Sequence, residues 1–187
     1  MFEDGISWKT RFTNTVLLAD RLWPNDTEIT LHLTPRNNDA ESQNITFEKY
    51  RYTFVKILQN SVFITTNKDD YRTFFKYTKN LIDFPVKPID QIVGVCLFAK
   101  LNSIGGETLR VNAIDIESWQ GENLKFIITK DSPEWEFVPK THEQYYWWND
   151  AEPNFTNIGK DRLTWPEIGF KISDVKSHLT VIQGNKK

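Results

Sequence analysis

Along this chain the hydrophobic positions recur with a period of two in some stretches and near 3.6 in others, and the switches mark the elements. Thr27 to Thr34 alternates: Ile29, Leu31 and Leu33 share one side, while Thr30, His32 and Thr34 share the other, as in a half-buried strand. From Asn44 the period lengthens. Phe47, Tyr50, Phe54 and Leu58 form one helical face with Ile57 alongside, and Asn44 is the expected N-cap of a helix over 44–59. A β-branched strand over 62–66 follows. Asp69 and Asp70 then open a helix expected over 69–82, with Tyr71, Phe74, Phe75, Thr78, Leu81 and Ile82 as its stripe and Pro85 beyond its end.

The strongest periodic stretch is Ile89, Ile92, Val93, Cys96, Leu97, Leu101 and Ile104, which predicts a helix over 89–104. Pro88 is placed at its first residue and Gly105-Gly106 at its stop. A buried strand through Val93–Phe98 is the competing reading. Lys100 interrupts this apolar run and reads as a solvated position whose replacement by alanine should cost little. Strands over 109–117 and 124–130 read as a hairpin, with Leu124, Phe126 and Ile128 inward. A phase shift between Ala113 and Ile114 suggests a β-bulge in its first strand.

The ends of the chain are less regular. Trp8, Phe12, Val16, Ala19 and Leu22 have roughly helical spacing but lie among threonines, so residues 1–24 read equally as a short helix or an extended arm. Pro24-Asn25-Asp26 reads as a break. Near the C-terminus, Ile172, Val175 and Leu179 suit a short helix, and Thr180–Ile182 suits an edge strand instead. The expected architecture is a single α+β domain over 1–187, with a mixed sheet of about four to five strands and helices packed on it. Residues 27–130 form the body, and 131–187 form an irregular, aromatic-rich C-terminal segment.

Composition narrows the function classes. Hydrophobic residues make up 39% of the 187 and charged residues 26%, enough apolar material for a core. The formal charge is -2 with both signs mixed, so no basic face for nucleic acid is expected. No apolar run approaches the ~20 residues of a membrane span, and the acidic start M-F-E-D does not resemble a signal peptide. The lone Cys96 excludes an intramolecular disulfide and favours a reducing, cytoplasmic setting. Sparse alanine with frequent Asn, Lys, Ile and Phe fits AT-rich coding, as in a low-GC bacterium or its phages.

The stretch from Pro133 to Phe155 is the candidate site, because aromatic rings and carboxylates alternate in it with almost no aliphatic residues. Trp135, Tyr145, Tyr146, Trp147, Trp148 and Phe155 are candidate binding residues, since large rings anchor interfaces at low entropy cost. Four consecutive rings exceed what a loop buries by itself, so some exposure is expected, and at least two of Tyr145–Trp148 should stand substantially exposed if the segment is a contact surface. The opposing expectation is a loop whose rings form a satellite core. His142, Glu143, Asp150 and Glu152 are the candidates for acid–base chemistry, but no histidine pair with zinc-site spacing occurs and no metal or cofactor is expected.

Asp115 and Glu117 could pair on one strand face, where acids are more often simply solvated. Cys96 lies in an apolar stripe and reads as structural. Gly105-Gly106 lacks the strand-to-helix context of a phosphate loop. The leading expectation is a non-catalytic interaction or assembly module, with a protein partner or a second copy of itself, in a phage or mobile-element setting. The alternative is a small enzyme or ligand-binding domain with an aromatic and acidic pocket.

Overall fold

The computed structural model describes residues 5–78, 80–139, 144–158 and 161–175. Among them one mixed sheet carries six strands: β1 (Ile6–Leu18), β2 (Arg21–Pro35), β3 (Ser61–Thr65), β4 (Leu81–Phe84), β5 (Leu109–Ser118) and β6 (Phe126–Thr129). Their spatial order is β4-β3-β1-β2-β5-β6. The helices are α1 (Ala40–Tyr52), prolonged by π-helical turns over Thr53–Leu58, α2 (Lys68–Phe75) and α3 (Asp90–Gly105). The α+β class is as expected, with two more strands than the shorter estimate.

β1 and β2 form a long antiparallel hairpin, to which β3 and then β4 add in parallel on one side and β5 and β6 antiparallel on the other. One sheet face buries Phe12, Val16, Ile29, Leu31, Ile114 and Ile116 in the main core with α1 and α3. The other face is polar, with ion pairs Lys9–Glu28, Arg11–Asp26 and Lys125–Asp115. α3 lies between the sheet and the aromatic segment and is buried on nearly every side, as a helix with apolar residues all round it must be, its Asp90 and Lys100 included.

The N-terminal stretch is neither helix nor arm but a central strand. Ile6, Trp8, Phe12 and Val16 all fall on even positions, so a spacing of four satisfies both periods, and β-branched threonines favour the strand. Ala19 and Asp20 both adopt left-handed backbone, as the tight turn between β1 and β2 requires. The expected break at Pro24–Asp26 lies inside β2, beyond the point where β5 ends at Ser118 opposite Thr27, so Pro24 leaves no ladder bond to β5 unmade.

α1 starts earlier than expected. Asp39, not Asn44, caps it, accepting the Glu41 and Ser42 amides at 3.1 and 3.3 Å. The second helix ends at Phe75, and Leu81 and Ile82 belong to β4, paired in parallel with Val62 and Phe63. A four-residue stretch is too short to show a period of its own, and pairing with β3 decides it. The helix over 90–105 is as expected, except that Ile89 caps it from outside and is exposed. The bulge in β5 falls at Asn112, one residue before the expected place, where the register slips between His32 and Leu33. Leu124 is exposed rather than inward. Ile172–Asp174 is a single 3-10 turn, and Leu179 and Thr180–Ile182 lie outside the described residues. Among the described residues no helix is long and apolar enough to cross a membrane.

Candidate functional site

The aromatic segment is organised by a buried cation. Lys100 sits on the side of α3 away from the sheet and has no accessible surface. Its Nζ donates to the main-chain carbonyls of Trp147, Asp150 and Glu152 at 2.9, 2.7 and 2.6 Å. An ammonium has three N–H donors, and each finds an acceptor. It also lies 4.8 Å from the centre of the Phe155 ring. The solvated reading of Lys100 is therefore overturned. Burial still pushes its pKa down to about 7 from 10.5, against the charges of Asp150 and Glu152, which raise it.

Wrapping this ammonium turns successive side chains in different directions. Trp147 and Trp148 begin a 3-10 turn, and both are buried. The Trp147 indole donates to the Asp83 carbonyl at 2.6 Å, and the Trp148 indole donates to the Pro139 carbonyl at 3.1 Å. Phe155 is buried against Trp147. Tyr146 is half-buried and stacks on Trp148 with ring centres 4.9 Å apart. Trp135 is half-buried, edge-on to Phe98, with its indole bonded to the Thr129 carbonyl. The rings form a second core layer over α3, and the expectation of at least two substantially exposed rings among Tyr145–Trp148 is not met.

A second anchor is Asp83 in β4, also without accessible surface. Its carboxylate accepts the Asn157 amide at 2.7 Å, the Asn157 side chain at 3.1 Å and the Thr66 hydroxyl at 2.8 Å. Asp83 and Lys100 thus fasten one irregular segment at two points. The sequence reading took Lys100 for a position where alanine costs little and did not single out Asp83, although a lone charge inside an apolar run is a signal in itself, because buried charges need partners.

Of the four acid–base candidates, His142 and Glu143 lie outside the described residues. Asp150 and Glu152 line a hollow of about 290 Å³ with Tyr145, Asn149, Asn154 and Arg162. Asp150 accepts the Tyr145 hydroxyl at 3.0 Å, the Asn154 side chain at 3.1 Å and the Glu152 amide at 3.0 Å. Glu152 accepts the Trp165 amide at 3.1 Å. Burial and then the Asp150 charge raise the Tyr145 phenol well above its ordinary range. The Arg162 guanidinium lies 3.4 Å from the Tyr145 ring centre, and nothing in the sequence pattern marks it. Both carboxylates take part in holding the loop.

The remaining candidates settle on the scaffold. Asp115 meets His32 at 3.1 Å and Lys125 at 3.3 Å on the polar sheet face, with Glu117 beside it on the same strand. Cys96 is fully buried, and burial pushes its thiol well above the ordinary value. Gly105 ends α3, and Gly106, at a φ of 49°, turns the chain out of it.

A second hollow, of about 320 Å³, opens where α3 begins and the β5–β6 loop passes. Leu18, Ile89, Leu124 and Phe126 supply its apolar wall, and Ile89 and Leu124 are 45% and 59% exposed. Among its lining residues only Asp90 and Glu122 carry charge. Searched against protein-family models and curated proteins, the chain matches none.

Proposed function

We propose that this chain is a non-catalytic interaction module that receives a protein partner in the hollow at the start of α3. The single observation behind this reading is that two large aliphatic side chains, Ile89 and Leu124, stand exposed on the wall of one concave site. Exposed apolar side chains gathered in a hollow are where contact energy is gained. The engaged state of Asp150 and Glu152 supports a non-catalytic role for the aromatic segment, whose part is to cover α3 and hold the scaffold rigid. Composition supports a phage or mobile-element setting, in host cytoplasm or virion.

The test is a titration of the labelled protein with a blocked Leu-Gln-Leu peptide, followed by amide and methyl NMR shifts. Shifts centred on Leu18, Ile89, Leu124 and Phe126, lost in Leu124→Asp, are expected. Shifts elsewhere, or none, would overturn the reading. The alternative of a ligand pocket in the aromatic–acidic hollow draws on one observation, the Arg162 guanidinium over Tyr145. It predicts shifts at Tyr145 and Arg162 on adding a carboxylate probe such as glutarate.

A further inference from the structure

Asp90 opens α3 and is 6% exposed, yet among the described residues only one of its carboxylate oxygens has a hydrogen-bond partner. Oδ1 accepts the Ser118 hydroxyl at 2.7 Å. Oδ2 is buried and has no hydrogen-bond partner among the described residues. It lies against Gly121, whose missing side chain leaves the room: a Cβ there would collide with Oδ2. Asp90, Gly121 and Glu122 all line the hollow at the start of α3.

We infer that this hollow recognises a lysine side chain flanked by apolar residues in a partner protein, with the ammonium seated on Asp90 Oδ2. The inference rests on the reading of the hollow as a protein-contact site. Two features select the class: four large apolar side chains, Leu18, Ile89, Leu124 and Phe126, wall the hollow, and both of its charged lining residues are acids. The Asp90 charge itself offsets the positive end of α3, so the helix end does not oppose a cation. A single free oxygen suits the point charge of an ammonium, whereas a guanidinium pairs best with both oxygens of a carboxylate. An unpaired buried carboxylate is costly, and an arriving donor relieves that cost. Burial accordingly raises the Asp90 carboxyl above its ordinary range, against the hydrogen bonding of the Ser118 side chain and main chain. Gly121 packs directly on Oδ2, so the ammonium reaches it as the loop carrying Gly121 gives way, a loop whose Glu122 and Asn123 both hold left-handed backbone.

The experiment compares blocked Leu-Lys-Leu, Leu-Arg-Leu, Leu-Gln-Leu and Leu-Glu-Leu peptides by NMR titration of the whole chain. Leu-Lys-Leu should bind about tenfold more tightly than Leu-Gln-Leu, a difference of ~1.4 kcal/mol, and Leu-Glu-Leu most weakly. In Asp90→Asn the preference for lysine over glutamine should fall to about one, while Glu122→Gln should retain most of it. Equal binding of the lysine and glutamine peptides at the hollow would sink this inference and leave the contact reading standing. Binding of none of the four would remove both. Leu-Arg-Leu binding as tightly as Leu-Lys-Leu would overturn the ammonium assignment. Should Asp90→Asn not fold, the wild-type Asp90 carboxyl 13C shift decides: it should move with the lysine peptide and stay with the glutamine peptide, and no movement refutes the proposal.

Discussion

The ammonium of Lys100 and the main-chain carbonyl of Asp150 lie 2.7 Å apart, joining the middle of α3 to a loop fifty residues further along the chain. With the Trp147 and Glu152 carbonyls it makes a three-point pin. Lys100→Met should therefore lower stability by about 3–5 kcal/mol, because three carbonyls lose their charged donor in a buried place. Urea unfolding measures this, and a loss below about 1 kcal/mol would mean that the pin does not hold the segment.

The same pin makes stability depend on pH. Folding depresses the Lys100 pKa from 10.5 to about 7. Between those values the unfolded chain binds more protons at this site, so its contribution to stability rises as pH climbs from 7 toward 10.5, by up to about 1.4 kcal/mol per pH unit. Below pH 7 the penalty is complete and the dependence vanishes. The stability difference between wild type and Lys100→Met, measured from pH 6 to 9, should follow that curve, and a flat difference counts against it.

Trp147→Ala should cost about 3–5 kcal/mol, since it empties a fully buried site and orphans the Asp83 carbonyl. Tyr146→Ala removes a half-buried ring and should cost about 1 kcal/mol. Thermal melts of the two variants decide whether the rings are core. Nearly unchanged melting for Trp147→Ala would return the segment to the role of a contact surface.

Asp83→Asn should lose about 1–3 kcal/mol, because it turns an amide donor toward the Asn157 and Thr66 donors. Hydrogen exchange at the Asn157 amide gives an independent readout and should quicken in the variant. Unchanged protection would show that Asp83 does not fasten this loop.

Gly121→Ala should destabilise by about 1–3 kcal/mol through the clash with Asp90 Oδ2. In an Asp90→Ala background the same change should cost at least about 1 kcal/mol less, a coupling that a double-mutant cycle isolates. Strict additivity would mean that the two residues do not share the space.

Elements with an unambiguous period are legible from the residues alone. Ile29, Leu31 and Leu33 can only alternate, and the run from Ile92 to Leu101 continues into a stripe longer than most strands. The residues alone also mark the aromatic segment as an unusual object. The remaining features took their form from contacts between distant parts of the chain. Trp8, Phe12 and Val16 fit two periods equally, and pairing with Leu31, Thr27 and Trp23 made them a strand. Leu81–Phe84 is too short to show any period, and parallel pairing with β3 claimed it. The burial of Trp147 and Trp148 depends on Lys100 and Asp83, which lie 47 and 64 residues from Trp147. The Asp90 oxygen that has no partner among the described residues sits beside one that Ser118 takes and against Gly121, whose missing side chain leaves it space. Local periodicity reports which side of an element is apolar. It carries no information about which distant group will meet a charge, and in this chain those meetings set the shape of the candidate sites.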